Sequence, residues 1–208
     1  MVSADDGIAN ELTRKTFRGD TGRTLLGGHG EVSKTDVRVA AYADCDEANS
    51  AVSVAIAGGA LPNHVTTMLA SVQNDLFDLV TDLSTPLAVE GALARIQEAH
   101  IERLERAVDH FVQEASDLSG KILPGGTLAA SLLYQARVVV RRAERSVWTA
   151  IEAYPDQLNP LTARYLNRLS LLLFVIARGA NAEHGDVLWV PEASARAMAG
   201  EPVEPPEE

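Results

Sequence analysis

Arg137, Arg141 and Glu144 stand at i, i+4 and i+7 in the stretch ARVVVRRAER, a spacing that sets two guanidinium groups and a carboxylate in one row along a helix. Such a row can grip phosphate oxygens through paired N–H donors while the carboxylate orients the cations or accepts a sugar hydroxyl. It flanks a core arc made by Leu132, Ala136, Val139, Val140, Ala143 and Val147, so it runs along the edge of a packed face. Arg142 and Arg145 point further round. The same spacing also describes a surface ladder of ion pairs, and the residues alone allow both.

A second candidate lies upstream. Gly19-Asp20-Thr21-Gly22-Arg23-Thr24 can bring backbone N–H groups close to a polyphosphate, because glycine lets the main chain approach. It lacks the GxxxxGK[ST] pattern and follows no strand, which excludes a P-loop and leaves a solvent loop as the plain alternative. Lys34, just before the first long helix, can meet a phosphate as a point charge or simply be solvated. Asp46 sits inside an otherwise apolar helical stretch with Glu47 and Asn49. If it is buried it needs a cation, and the basic helix offers one; if not, it belongs to a water-facing side. His29, His64, His100, His110 and His184 show neither i, i+4 pairing nor an ExxH pattern, so the spacing assigns no protein metal site. Cys45 reads as a small core residue.

These residues need a scaffold, and the chain of 208 residues is long enough for one sizeable domain. With 46% hydrophobic and 23% charged residues it has globular composition, and its net charge of -11 argues against general binding of nucleic acid or anionic membrane. One cysteine allows no internal disulfide, so a reducing cytoplasm is the simplest compartment. The start shows no secretory signal and no apolar run reaches membrane length. Residues 1–12 and the Pro/Glu-rich 191–208 read as flexible tails around one domain over 13–190, with 13–32 as a loop. Turn signals at Gly58-Gly59 with Pro62, at Thr85-Pro86, at Pro124-Gly125-Gly126, at Pro155 and at Asn159-Pro160 divide the rest. They predict helices from Thr35 to Ala57, Asn63 to Leu83, Ala88 to Ser116, Thr127 to Ala153 and Leu161 to Ala180: an all-α, five-helix antiparallel bundle. The last helix is apolar nearly all round from Leu169 to Ile176. It must be covered at the bundle centre or by another subunit, and in so small a chain a subunit contact is expected.

In order along the chain, GDTGRT, VSKTDVRVAAYADCDEANS, QNDLFDLVTDLSTP, ILPGGT, ARVVVRRAER, YLNRLSLLLFVIARGAN and DVLW resemble the PduO-type ATP:cob(I)alamin adenosyltransferases, or corrinoid adenosyltransferases. RRAER with YLNRLS is the strongest pair. The resemblance implies a ferritin-like bundle assembled as a homotrimer, with sites at the subunit interfaces. Its implied reaction is attack of a reduced Co(I) corrinoid on C5' of ATP, with loss of triphosphate. It also implies a reductase that supplies Co(I) and a cobalamin-dependent mutase that takes the product. By the same resemblance Thr16, Arg18, Gly19 and Thr24 form an ATP loop, and Lys34 and Arg141 contact a triphosphate bridged by Mg2+. Glu144 and Asn167 hold the nucleoside, Arg145 closes that motif, and Asp46 with Arg137 forms an intersubunit salt bridge beside the site. The catalytic set is thus Asp46, Arg137 and Arg141.

The departures fall mainly on the corrinoid side. The aromatic usual before ILPGG is Lys121, the acid usual in NRLSD is Leu171, and the His usual in LHxAR is Tyr134; Glu31 replaces an Arg near the loop. An apolar residue at Lys121 would crowd the lower face of the corrin, so its loss bears on turnover more than on ATP. The alternative expectation is a divergent homologue, weakly active or inactive, that binds ATP or adenosylcobalamin as a carrier, sensor or subunit.

Overall fold

The computed structural model describes residues 19–115 and 120–203. An antiparallel hairpin, β1 (Arg23–Leu25) and β2 (Glu31–Ser33), precedes five long helices: α1 (Val37–Gly58), α2 (Asn63–Leu83), α3 (Glu98–Val112), α4 (Leu128–Ala153) and α5 (Leu161–Ala180). A short α6 (Ala193–Met198) follows. α1 packs on α2 and α4, and α5 packs on α3 and α4.

Local chemistry sets the ends. Asp36 caps α1 by accepting from Arg38 N, and Thr127 caps α4 by accepting from Ala130 N, which satisfies otherwise orphaned helix donors. Asn159 Oδ1 accepts from Leu161 N at the start of α5. Leu69, Leu76, Leu79, Leu133, Tyr165 and Leu166 fill the centre without solvent exposure.

The five predicted helices are present, with differences that have physical causes. The third starts at Glu98, not Ala88, because Arg95 draws 84–97 back over the end of α2. Its guanidinium donates to Asp82 Oδ1 at 2.5 Å, Thr85 O at 2.5 Å and Pro86 O at 2.6 Å, fixing a non-helical path. Part of 13–32 is a hairpin instead of a loop, with Thr24 opposite Val32; its three-residue strands are too short to show a period. The expected C-terminal tail contains α6, and Ile122 bridges Leu188 upstream of it. α5 lies at the bundle centre: Leu169, Leu172, Leu173, Val175 and Ile176 are buried by the chain itself, whereas Leu171 is 45% exposed. Burial of α5 therefore requires no second subunit. No helix among the described residues is long and apolar enough to cross a membrane.

The α1 cap also sets an acid limit. Arg38 donates to both Asp36 oxygens, Nε at 3.0 Å and Nη2 at 2.8 Å, and holds this carboxyl down to about 2 from 3.8. A depressed carboxyl contributes stability that is complete above 3.8 and lost as pH falls toward 2. Protection from hydrogen exchange, relative to the intrinsic rate at each pH, is expected to fall across that window at Val39 and Ala40, whose amides donate to Asp36 O. Asp36→Asn should remove the transition.

Candidate active site

The row on α4 is not a ladder. Among the described residues every Lys and Arg pairs with a carboxylate except Lys34, Lys121, Arg137, Arg141 and Arg145. Arg142 shows the contrast, since it pairs with Glu47 and Asp44 on α1. Glu144 pairs with none of the described arginines and accepts from Asn167 Nδ2 of α5 at 3.1 Å, while Asn167 Oδ1 accepts from Arg168 Nη1 at 2.9 Å. The fold thus joins Glu144 and Asn167, two residues read as nucleoside contacts, and leaves Arg141 and Arg145 exposed beside them.

The hairpin assembles a second group. Gly19 and Gly22 take φ of +96° and +77°, conformations that favour glycine, and Gly22 N donates to Gly19 O at 3.0 Å. Lys34 N donates to Gly22 O at 2.8 Å, and its side chain runs so close to Gly19 that a Cβ there would lie 2.9 Å from Nζ. Gly19, Thr24 and Lys34 therefore belong to one small unit whose cation is unpaired. Thr16 and Arg18 lie outside the described residues.

Arg137 is half-buried, with its guanidinium 5.3 Å from the centroid of the Phe174 ring on α5. Burial first and then the charge of Arg141 pull its pKa down, so an anion would be welcome at this position. Arg178 approaches the same ring at 5.9 Å and pairs with Asp186, Nε to Oδ2 at 2.5 Å. Tyr134 packs against Phe174 with 6.3 Å between centroids, and its buried hydroxyl has no hydrogen-bond partner. Burial first, aided by Asp186 and opposed by Arg178 and Arg137, pushes Tyr134 up to about 12, so it is a neutral donor.

Asp46 is half-buried rather than enclosed, and burial raises its carboxyl pKa. Within the chain it does not pair with Arg137 or with any other described cation. Lys121 is exposed, and its ammonium sits 4.9 Å from the centroid of the Trp189 ring, while its carbonyl accepts from Trp189 N at 2.7 Å. An aromatic is therefore present beside position 121, supplied from far along the chain. Phe174 and Trp189 were not singled out from sequence; their signal was that each is an aromatic, one in the apolar last helix and the other ending the DVLW motif.

Cys45 is fully buried, and burial together with Asp44 and Asp46 raises its thiol pKa, in keeping with a core role. The fold does gather Asp75, Asp78 and His100 with ligand atoms within 4.8 Å of one another, which spacing had not suggested. Asp75, however, pairs with Arg103 and accepts from Tyr165 Oη at 2.8 Å, and His100 Nδ1 accepts from Gln97 N at 3.1 Å.

Residues 14–180 match the family model for cobalamin adenosyltransferase. The corrinoid adenosyltransferase of Mycobacterium leprae is 48% identical over 190 residues, covering 88% of this chain and 99% of that protein. That of Bacillus subtilis is 38% identical over 173 residues, covering 82% and 87%. Among solved structures, a single-residue variant of the Lactobacillus reuteri PduO-type ATP:corrinoid adenosyltransferase, complexed with cobalamin and ATP, superposes with a TM-score of 0.74. It is 35% identical and covers 83% of this chain and 96% of its own. The unpaired basic row, the glycine hairpin with its lysine and the bundle that carries them thus sit in a chain that belongs to the cobalamin adenosyltransferase family.

Proposed function

We propose that the chain transfers the 5'-deoxyadenosyl group of ATP to the cobalt of a reduced corrinoid. Co(I) attacks C5', the C5'–O bond breaks with its electron pair going to triphosphate, and a Co–C bond forms. The observation that carries this reading is the segregation of charge: among the described residues, cations are neutralised by acids except at Lys34, Lys121, Arg137, Arg141 and Arg145. In an acidic chain, that set suits one compact polyanion.

Lys34 and Arg141 take the triphosphate and stabilise the charge that builds on it as C5'–O breaks. Glu144 and Asn167, already joined, hold the nucleoside so that C5' faces cobalt, and Arg145 closes that end. Thr16, Arg18, Gly19 and Thr24 complete the nucleotide loop. Lys121 on Trp189, Asp46, and Arg137 on Phe174 with Tyr134 against the same ring form the corrinoid side. Mg2+ is expected on the triphosphate oxygens, a mode in which phosphate supplies the ligands; the Glu144 carboxylate beside them has one oxygen engaged by Asn167.

Asp46 and Arg137, each half-buried and without an opposite charge among the described residues, suit the two halves of an ion pair across a homotrimer interface. A cytoplasmic setting, a flavin reductase that delivers Co(I) and a cobalamin-dependent mutase that accepts the product complete the reading.

An anaerobic assay with chemically reduced cob(I)alamin and ATP tests it. Absorbance should report Co–C bond formation together with release of triphosphate. ATP binding without product would instead indicate a carrier or sensor.

A further inference from the structure

His29 lies in the turn between β1 and β2, part of no residue set assigned above, yet it ties this hairpin to the bundle at both ends of its ring. Its Nε2 is 3.2 Å from Leu83 O at the end of α2, and its Nδ1 is 3.2 Å from Arg38 Nη1 on α1. A carbonyl can only accept and a guanidinium can only donate. The two partners therefore dictate one form, the neutral imidazole with its proton on Nε2.

Arg38 is itself fixed. Besides Asp36, it donates to Gln157 Oε1 at 3.1 Å and stacks 3.9 Å from the Tyr154 ring centroid. The hairpin turn fits closely beside this anchor. Gly28 N donates to Ser84 O at 2.9 Å, and a Cβ at Gly27, where φ is +41°, would lie 2.3 Å from Ser84 O.

We propose that His29 is a positioning residue for ATP: its neutral ring docks the Gly19–Lys34 hairpin against α1 and α2, and its protonation releases the hairpin. The proposal rests on the reading of that hairpin as part of the nucleotide site.

A protonated Nδ1 would point N–H at Arg38, costing a hydrogen bond and setting two cations together. Burial chiefly, and Arg38 as well, lower the ring's pKa below 6.5, while the Leu83 carbonyl, Gln157 and Asp36 oppose this. The sign follows. The docked hairpin favours the neutral ring, so docking is strongest above 6.5 and weakens as pH falls below it, until the docked ring also protonates. The charged and titratable groups around the ring are few. Asp36 and Arg38 face it from α1 and its cap, and Tyr154 lies beyond them at the end of α4, donating to Asp36 Oδ2. The end of α2 presents a carbonyl, with Asp82 behind it engaged by Arg95 and Asn159. On the hairpin, Arg23 and Glu31 pair with each other. With Asp36 held down to about 2 and Arg38 raised, His29 is the imidazole of this network, and burial lowers its pKa from 6.5.

The test compares MgATP binding by calorimetry, and KM and kcat with cob(I)alamin, for the full chain and three variants. His29→Gln keeps an acceptor and a donor but cannot protonate. His29→Ala removes both, and Lys34→Ala reports the hairpin reading independently. The γ-phosphate of ATP titrates in the same range, so the pH effect is read as the difference between wild type and His29→Gln. Between about pH 7.5 and about pH 5.5 the wild type should lose about fivefold more affinity than His29→Gln. At neutral pH His29→Ala should raise the KM for ATP about tenfold with kcat within about twofold, and His29→Gln should restore most of it.

Equal pH slopes in wild type and His29→Gln would overturn the proposal, and this comparison stands even if His29→Ala folds poorly. Unchanged ATP affinity in His29→Ala, alongside weakened binding in Lys34→Ala, would overturn it while sparing the hairpin's nucleotide role. Unchanged affinity in both alanine variants would overturn that role and the proposal with it.

Discussion

Arg141→Ala is expected to weaken ATP binding by roughly a hundredfold or more while leaving the fold intact. Arg141 is exposed and neutralises no described carboxylate, so its removal strands no buried partner. What is lost is a guanidinium that can grip two phosphate oxygens at once. Arg141→Lys keeps the charge without the planar fork and should fall between, at about tenfold weaker. Arg142 supplies the control. One residue away but committed to Glu47 and Asp44, it should change ATP affinity by no more than about twofold when replaced with alanine. Calorimetry with MgATP reads all three, and equal effects at 141 and 142 would show that the phosphate site lies elsewhere.

The second large effect is on stability. Asp82 is fully buried at the end of α2 and accepts from Arg95 Nη1 at 2.5 Å, Ile96 N at 2.9 Å and Asn159 Nδ2 at 2.7 Å. Asn159 Nδ2 also donates to Ile96 O at 2.8 Å. One carboxylate thereby joins α2, the irregular 84–97 segment and Asn159, whose Oδ1 accepts from Leu161 N at the start of α5. Asp82→Ala leaves the Arg95 guanidinium and the Asn159 amide with lost partners and is expected to cost about 3–5 kcal/mol. Thermal unfolding should shift down by on the order of 10 °C. Asp82→Asn keeps the size and part of the hydrogen bonding and should cost less. A shift of less than about 2 °C in Asp82→Ala would mean the network holds without its centre.

These two residues mark the reach of the sequence. Arg141 was legible because a helix converts a spacing of four into adjacency, and the surrounding apolar arc fixed its place at the edge of the core. The ends of α1, α2, α4 and α5 were legible for a similar reason, since Gly58-Gly59, Pro62, Thr127 and Asn159-Pro160 act within a turn of themselves. Asp82 was not legible as a hub, because its partners lie 13, 14 and 77 positions away and nothing periodic announces them. The same long reach hid the start of α3. It also hid the Phe174 ring beside Arg137 and the Trp189 ring beside Lys121. The Glu144–Asn167 contact was anticipated as a shared role and found as a bond. Among the described residues Asp46 has no cation partner, and the pair with Arg137 that the resemblance implies was expected between subunits.

Cys45 carries a practical consequence. Enclosed in α1 and disfavoured as a thiolate, it should resist maleimides and air oxidation in the folded protein. The wild-type chain is thus already a silent background for thiol labelling. A cysteine introduced on the exposed side of the hairpin, for instance Arg23→Cys, would be its one reactive thiol, and a fluorophore there could follow hairpin docking in real time without altering the core.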